Sequence, residues 1–264
     1  EVEEVEEVEE IDWSNCTRWV HDATGDTLTT YPDDQFTLES DRSTTGLMLN
    51  FSGRPWAETA SAFVKKMTDD LSKIDGWGIN SGIVLKFEGE PLYDLAEEMA
   101  PSPLSDRFES LTHFAMVYME DPSEAEPPHF PAQVPVEVRF FNEGRNAILE
   151  PLRPLKSATR YGFVLPAIKP TSARANCLAP STIIADLLAD SSRPLLAERR
   201  QQLLELANLS ADQVAALTVF TTQSALDQSI DIAQVIKSQN YAWLDDLNCE
   251  REGDYSHCTR SFNA

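Results

Sequence analysis

Basic side chains are scarce in this chain: 21 Lys and Arg stand against 44 Asp and Glu, a net charge of −23 over 264 residues. Such a surface repels nucleic-acid phosphate, and no basic stripe offsets it, so nucleic-acid binding is excluded. Long apolar runs are missing too. None approaches the roughly 20 residues of a membrane span, so the chain as given reads as soluble. The opening EVEEVEEVEE has none of the marks of a secretory signal, which leaves room for a processed or trimmed N-terminus. Only four cysteines occur, and they form no C-x-x-C; no H-E-x-x-H and no G-x-S-x-G is present either. Zinc-site spacing and the nucleophile elbow of an α/β-hydrolase are therefore absent from this stretch.

What is present fits a folded protein. A hydrophobic share of 42% and a charged share of 25% exclude wholesale disorder. The acidity is partly local, because the first ten residues hold seven Glu and the other 254 carry −23 + 7 = −16. Val2, Val5 and Val8 recur every third residue there, but like charges at i, i+3 and i+4 oppose a helix. Residues 1–12 read as an acidic disordered tether. The remaining charge suits a saline or calcium-bearing milieu, or simply solubility.

Residues 11–35 read as a polar stretch anchored by Trp13, Cys16 and Trp19, and LMLNF (47–51) as a strand. Helical spacing of Ala60, Phe63, Val64, Met67, Leu71 and Ile74 predicts a helix over 57–74. The period then shortens. GIVLKF (82–87), HFAMVYM (113–119), VPVEVRFF (134–141), AILEPL (147–152) and RYGFVL (160–165) read as strands. The Pro-rich links PSPLSD and DPSEAEPPHFP lie between them. Helices are predicted at 180–189 and 194–207, then a capping box at Ser210–Gln213, a strand over 217–222 and a helix at 225–238. The tail NCEREGDYSHCTRSFNA reads as a polar loop. Strands without crossover helices favour an antiparallel sandwich over a doubly wound sheet.

The segment from Gly82 to Thr222 resembles the bacterial Ig-like domains of secreted and surface proteins. The resemblance rests on GIVLKFEGEPLYDL, on VPVEVRFF and on ILEPLRPLKSATRYGFVLPAI, where Leu152–Leu155 closes one corner and Tyr161 starts the next strand. The F-T-T at 220–222 closes the pattern. YPDDQFTLESDRSTTGLMLNF, IDGWG, NCLAPS and VFTTQS extend it, resembling the N-terminal region of exported lipoproteins, including surface lipases of the virulence-factor type.

The fold this implies is mainly β with helical additions: an Ig-like antiparallel β-sandwich with an N-terminal helix and inserted helices. Its expected layout is 13–78 packing on the sandwich, 79–224 as the sandwich with a helical insertion at about 180–213, and 225–264 as a helix and cysteine loop leading to a downstream domain. The implied setting is export, as an outer-membrane or cell-surface lipoprotein or a periplasmic protein. Membrane contact would come only through a lipid anchor that this chain lacks.

Candidate chemistry is thin. His21, His113, His129 and His257 are scattered. Asp33, Asp34 and Asp41 are candidate calcium ligands through carboxylate oxygens, without the D-x-D-x-D-G spacing of an EF-hand; capping and solubility compete for them. No other cofactor is expected. Trp13, Trp19, Trp56 and Trp77 lie near loops or element ends; core packing explains most tryptophans, with a protein- or carbohydrate-binding face as the alternative.

Four cysteines allow three pairings. Cys249 and Cys258, with eight residues between them, are expected to pair across a turn at Gly253, worth roughly 2.7 kcal/mol on the chain-entropy argument. Cys16 and Cys177 then remain for a long-range bridge worth about 5 kcal/mol before strain. Disulfides place a chain outside the reducing cytoplasm.

The functional expectation is a non-catalytic Ig-like accessory or binding region of an exported, lipid-anchored bacterial surface protein. Two alternatives stand beside it: the N-terminal part of a lipase or esterase with its catalytic domain downstream, and a surface adhesin or substrate-capture lipoprotein.

Overall fold

The computed structural model describes residues 11–92, 115–120, 133–170, 176–224, 247–252 and 255–260. The chain divides into two compact units, Glu1–Ser224 and Ala225–Ala264. The described elements are mostly antiparallel strands with a few helices, and no described helix is long and apolar enough to cross a membrane. Residues 1–10 of the tether and the helix expected at 225–238 lie outside the described residues.

In the first unit, β1 (Arg18–Val20), β2 (Thr30–Tyr31), β3 (Thr37–Glu39) and β4 (Leu47–Leu49) precede helices α1 (Pro55–Glu58) and α2 (Ala62–Leu71). The stretch over 11–35 is therefore not loop throughout: it contributes β1 and β2, both paired to a later strand, β5 (Ile83–Glu88). Strands of two or three residues have no readable period of their own; partners distant in sequence impose them. The helix expected over 57–74 is likewise split. Pro55 opens α1, Thr59 ends it, and Ser61 in extended conformation caps α2, its hydroxyl accepting from Val64 N at 3.4 Å.

One sheet runs β1-β5-β9-β8, with β2 also on β5, where β8 is Val136–Phe141 and β9 is Asn146–Pro151. A second runs β11-β10-β6-β7, from β6 (Ala115–Glu120), β7 (Gln133–Val134), β10 (Arg160–Pro166) and β11 (Val214–Thr221), while β3 and β4 pair as a separate two-stranded sheet. Every strand pair is antiparallel. In β5, Ile83, Leu85 and Phe87 are buried, while Lys86 and Glu88 are exposed, the period of a strand with one face in the core. Both larger sheets feed one apolar cluster, from Ile83, Leu85 and Leu149 on one side to Phe163, Leu165 and Val219 on the other.

All eight residues of β11 are buried. Helix α3 (Ile184–Leu188) and helix α4 (Pro194–Ala207) explain this, for α4 turns Leu196, Ala197, Leu203, Leu204 and Ala207 inward. Gly162 of β10 permits that approach, since a Cβ there would collide with Leu203 and with Met119. Asn208, left-handed at φ 52°, ends α4. The expected capping box follows, with Ser210 N donating to Gln213 Oε1 at 3.0 Å.

Cys16 and Cys177 form a disulfide with Cα atoms 4.9 Å apart. It lies beside a backbone exchange in which Thr17 N donates to Cys177 O at 3.0 Å and Ala179 N to Thr17 O at 2.9 Å. In the second unit the tail corrects the loop reading: β12 (Leu247–Glu252) and β13 (Tyr255–Arg260) pair as an antiparallel hairpin. Their sequences are polar, so no alternation of apolar residues announced them.

Candidate functional site

Among the described residues, buried charge gathers around Tyr31-Pro-Asp-Asp-Gln-Phe, a segment that leaves β2 and enters a 3-10 turn over Asp34–Phe36. Asp33 caps the turn, accepting from Gln35 N at 2.8 Å. Arg200 Nη2 donates to the same Oδ1 at 3.2 Å and to Oδ2 at 3.4 Å, and both residues are essentially buried, at 0% and 2% exposure. Arg200 stands on the inward stripe of α4 among leucines, where a lone cation would be costly.

Asp34 accepts from Thr221 N at 3.0 Å, from Thr221 Oγ1 at 2.8 Å and from Arg199 Nη1 at 3.4 Å. Burial pushes its carboxyl up from the ordinary value, against the opposing pull of Arg199 and Thr221. Arg193 completes the arrangement, donating to the carbonyls of Asp34 at 2.8 Å and Thr37 at 2.7 Å, and to that of Gln35. Thr218 Oγ1 of β11 donates to Pro32 O at 2.7 Å. One segment is thus clamped to α4 and to β11 by buried charge and backbone contacts. The clamp holds structure; its carboxylates already have partners.

Two surface depressions adjoin these elements. A cleft of about 410 Å³ lies between the turn at Phe51–Gly53 and the helices α1 and α2, lined by Ser52, Glu58, Lys65, Thr68, Asp69 and Ser72 among others. A narrower groove of about 220 Å³ runs beside the clamp, where Leu38 and Leu195 are exposed near Arg193 and Arg199. In the wide cleft hydroxyl, carboxylate and ammonium groups converge over the buried Phe51, a mixture able to hydrogen-bond a polar ligand.

The expected calcium ligands are not brought together. Asp33 and Asp34 are occupied by arginines, while Asp41 is exposed in the turn between β3 and β4. Among the described residues no group of three or more His, Cys, Asp or Glu could hold a metal ion.

Trp19 and Trp77 follow the core-packing reading rather than the alternative of an exposed binding face. Trp19 and Trp77 are buried, and Trp19 Nε1 donates to Thr30 Oγ1 at 3.1 Å. Trp77 packs edge-on against Tyr31, Phe36 and Phe51, and its backbone bridges to the end of β11, accepting from Gln223 N at 2.8 Å. Gly76 allows that approach, because a Cβ there would strike the backbone at Thr221 and Gln223. Trp56 is half-buried and donates to Gly25 O at 3.3 Å, and Trp13, also half-buried, packs on the Cys16–Cys177 bridge. An aromatic ring of that size finds more apolar surface inside than any loop offers.

The His21 ring packs at a tilt of 30° on Trp19, centroids 4.5 Å apart, and burial holds its imidazole below the ordinary value. His113 and His129 lie outside the described residues.

Sequence reasoning missed the lining of the wide cleft. Lys65, Thr68, Asp69 and Ser72 recur at i, i+3, i+4 and i+7, a polar stripe on α2 that is legible as a face but reads equally as a solvated one. It missed Arg193, Arg199 and Arg200 altogether; the one available signal was Arg200 falling in step with Leu196, Leu203 and Leu204. Compared with known proteins, the chain matches no family model and no curated protein.

Proposed function

We propose that this chain is a non-catalytic accessory or binding region of an exported, lipid-anchored bacterial surface protein, with an Ig-like sandwich as its frame. The observation that carries the reading is the Cys16–Cys177 disulfide, since such bonds persist in oxidising compartments and are rare in the cytosol. Two antiparallel sheets feeding one apolar cluster support the sandwich. The strong negative charge favours solubility in an exposed setting.

The binding surface in this reading is the wide cleft beside α2, and its partner is a protein or carbohydrate. Its hydroxyls suit sugar hydroxyls, and Lys65 and Asp69 supply a paired donor and acceptor. A glycan array and a pull-down with the intact chain test this. Lys65→Ala/Asp69→Ala should abolish any captured ligand while leaving the melting temperature within a degree or two of the parent. Capture that survives the double change moves the site elsewhere.

Catalysis is tested separately with short- and medium-chain p-nitrophenyl esters. No turnover above buffer is expected, because an activated nucleophile needs a positioned base as well as a serine. Hydrolysis abolished by a single Ser→Ala change would replace the accessory reading with an esterase.

A further inference from the structure

The second unit holds two of the four cysteines, and its backbone sets them in register. Glu252 stands opposite Tyr255, so two residues, Gly253 and Asp254, join β12 to β13. A connection of that length closes on a hydrogen-bonded pair, and the two kinds of pair then alternate along an antiparallel ladder. Counting back, Arg251–Ser256 is a non-hydrogen-bonded pair, Glu250–His257 a hydrogen-bonded one, and Cys249–Cys258 non-hydrogen-bonded. Cα atoms at that kind of position are about 4.5 Å apart, within the range of about 4.4–6.8 Å that disulfides span. A slip of one residue would set Cys249 against His257 or Thr259 instead.

The hairpin also has a need for such a bond. Two strands alone are marginal in water, and these are built from Asn248, Glu250, Arg251, Glu252, Ser256 and Thr259 with little apolar content. A covalent tie between facing residues removes much of the open-chain freedom that competes with the hairpin.

We propose that Cys249 and Cys258 form a cross-strand disulfide, a second staple serving the C-terminal unit independently of Cys16–Cys177. The thiolate of one cysteine attacks a disulfide of an oxidising protein or of oxidised glutathione, expelling one thiol. The second cysteine's thiolate then displaces the other from the mixed disulfide. Two electrons pass to the oxidant, which leaves as two thiols carrying the two protons. In the cell the step rests on the export reading, which supplies the oxidising compartment; in solution it rests on register alone.

The experiment oxidises the full chain in a glutathione redox buffer, blocks free thiols with N-ethylmaleimide and digests with trypsin without reduction. Cleavage after Lys237, Arg251 and Arg260 puts the two cysteines on separate peptides, 238–251 and 252–260. The expected result is that these peptides emerge joined and separate on reduction. Recovering both singly with blocked thiols, or joined to the peptides of Cys16 or Cys177, overturns the pairing. The same digest of protein taken from its native cells separates the two claims. Joined in solution but free in cells, the cysteines uphold the staple and contradict export. Free in both while Cys16–Cys177 is joined, they contradict the staple and leave export standing.

Discussion

β11 and α2 belong to the same first unit, yet they are held by different means. Every residue of β11 is buried, and it is bonded along one edge to β10 and through Thr218 and Thr221 to the Pro32–Asp34 segment. In α2 Thr68 alone is fully buried, while Phe63 is 77% and Met67 44% exposed. Its ion pairs, Lys66–Asp70 and Lys73–Asp70, are local and exposed, and solvent screens them. The first region depends in part on a segment 186 or more residues away in sequence, whereas the second depends mainly on its own turn-to-turn contacts. Stability therefore concentrates where the clamp is, and the cleft wall formed by α2 is free to vary.

The sharpest way to test that contrast is to unpair the clamp. Arg200→Met leaves Asp33 buried without its cation, and a loss of about 3–5 kcal/mol is expected in urea unfolding. Adding Asp33→Asn to that variant should recover a sizeable part, because the stranded charge is gone. A single change costing under about 1 kcal/mol would show that the buried pair contributes little to holding the segment.

A smaller effect is expected where α4 meets β10. Gly162→Ala should cost about 1–3 kcal/mol through overpacking against Leu203 and Met119. An unchanged unfolding midpoint would mean that the helix can move away freely.

A pH effect comes next. His21 has its imidazole held below the ordinary value of 6.5, chiefly by burial, so the unfolded chain takes up a proton before the folded one does. The stability associated with neutral His21 is complete above pH 6.5 and is lost as the pH falls from there toward the lowered folded value. Melting temperatures at pH 7.5 and 5.5 should differ in the parent, and the difference should shrink in His21→Gln. Equal slopes in both proteins would assign the pH dependence to other groups.

The smallest effect belongs to α2. Phe63→Ser is expected to change stability by no more than about 0.5 kcal/mol, since its ring is already in water. A loss several times larger would show that α2 is covered in solution, and the contrast with β11 would fail.

Much of this frame was legible in the residues. The strands at 83–88, 136–141, 146–151 and 160–166 follow their apolar runs, and α4 spans Pro194–Ala207, the range its spacing and its proline at the start predict. The bridge between Cys16 and Cys177 was legible as the long-range pair left after the local one. The clamp was not. Asp33 and Asp34 look like any acidic loop until α4 arrives about 160 residues later with Arg199 and Arg200, preceded by Arg193 at its N-cap, and sequence spacing carries no record of that meeting. The burial of Trp19 and Trp77 agrees with core packing, although Trp19 sits in a three-residue strand and Trp77 in none, so no apolar period announces it.

The central claim, that this is an exported region, turns on the redox state of Cys16 and Cys177 inside the organism. Living cells treated with a membrane-permeant alkylating reagent, then lysed and digested without reduction, report it directly. The account predicts that the peptides bearing Cys16 and Cys177 are recovered joined and unalkylated. Both cysteines alkylated in the cell, as free thiols in a reducing compartment, would contradict it.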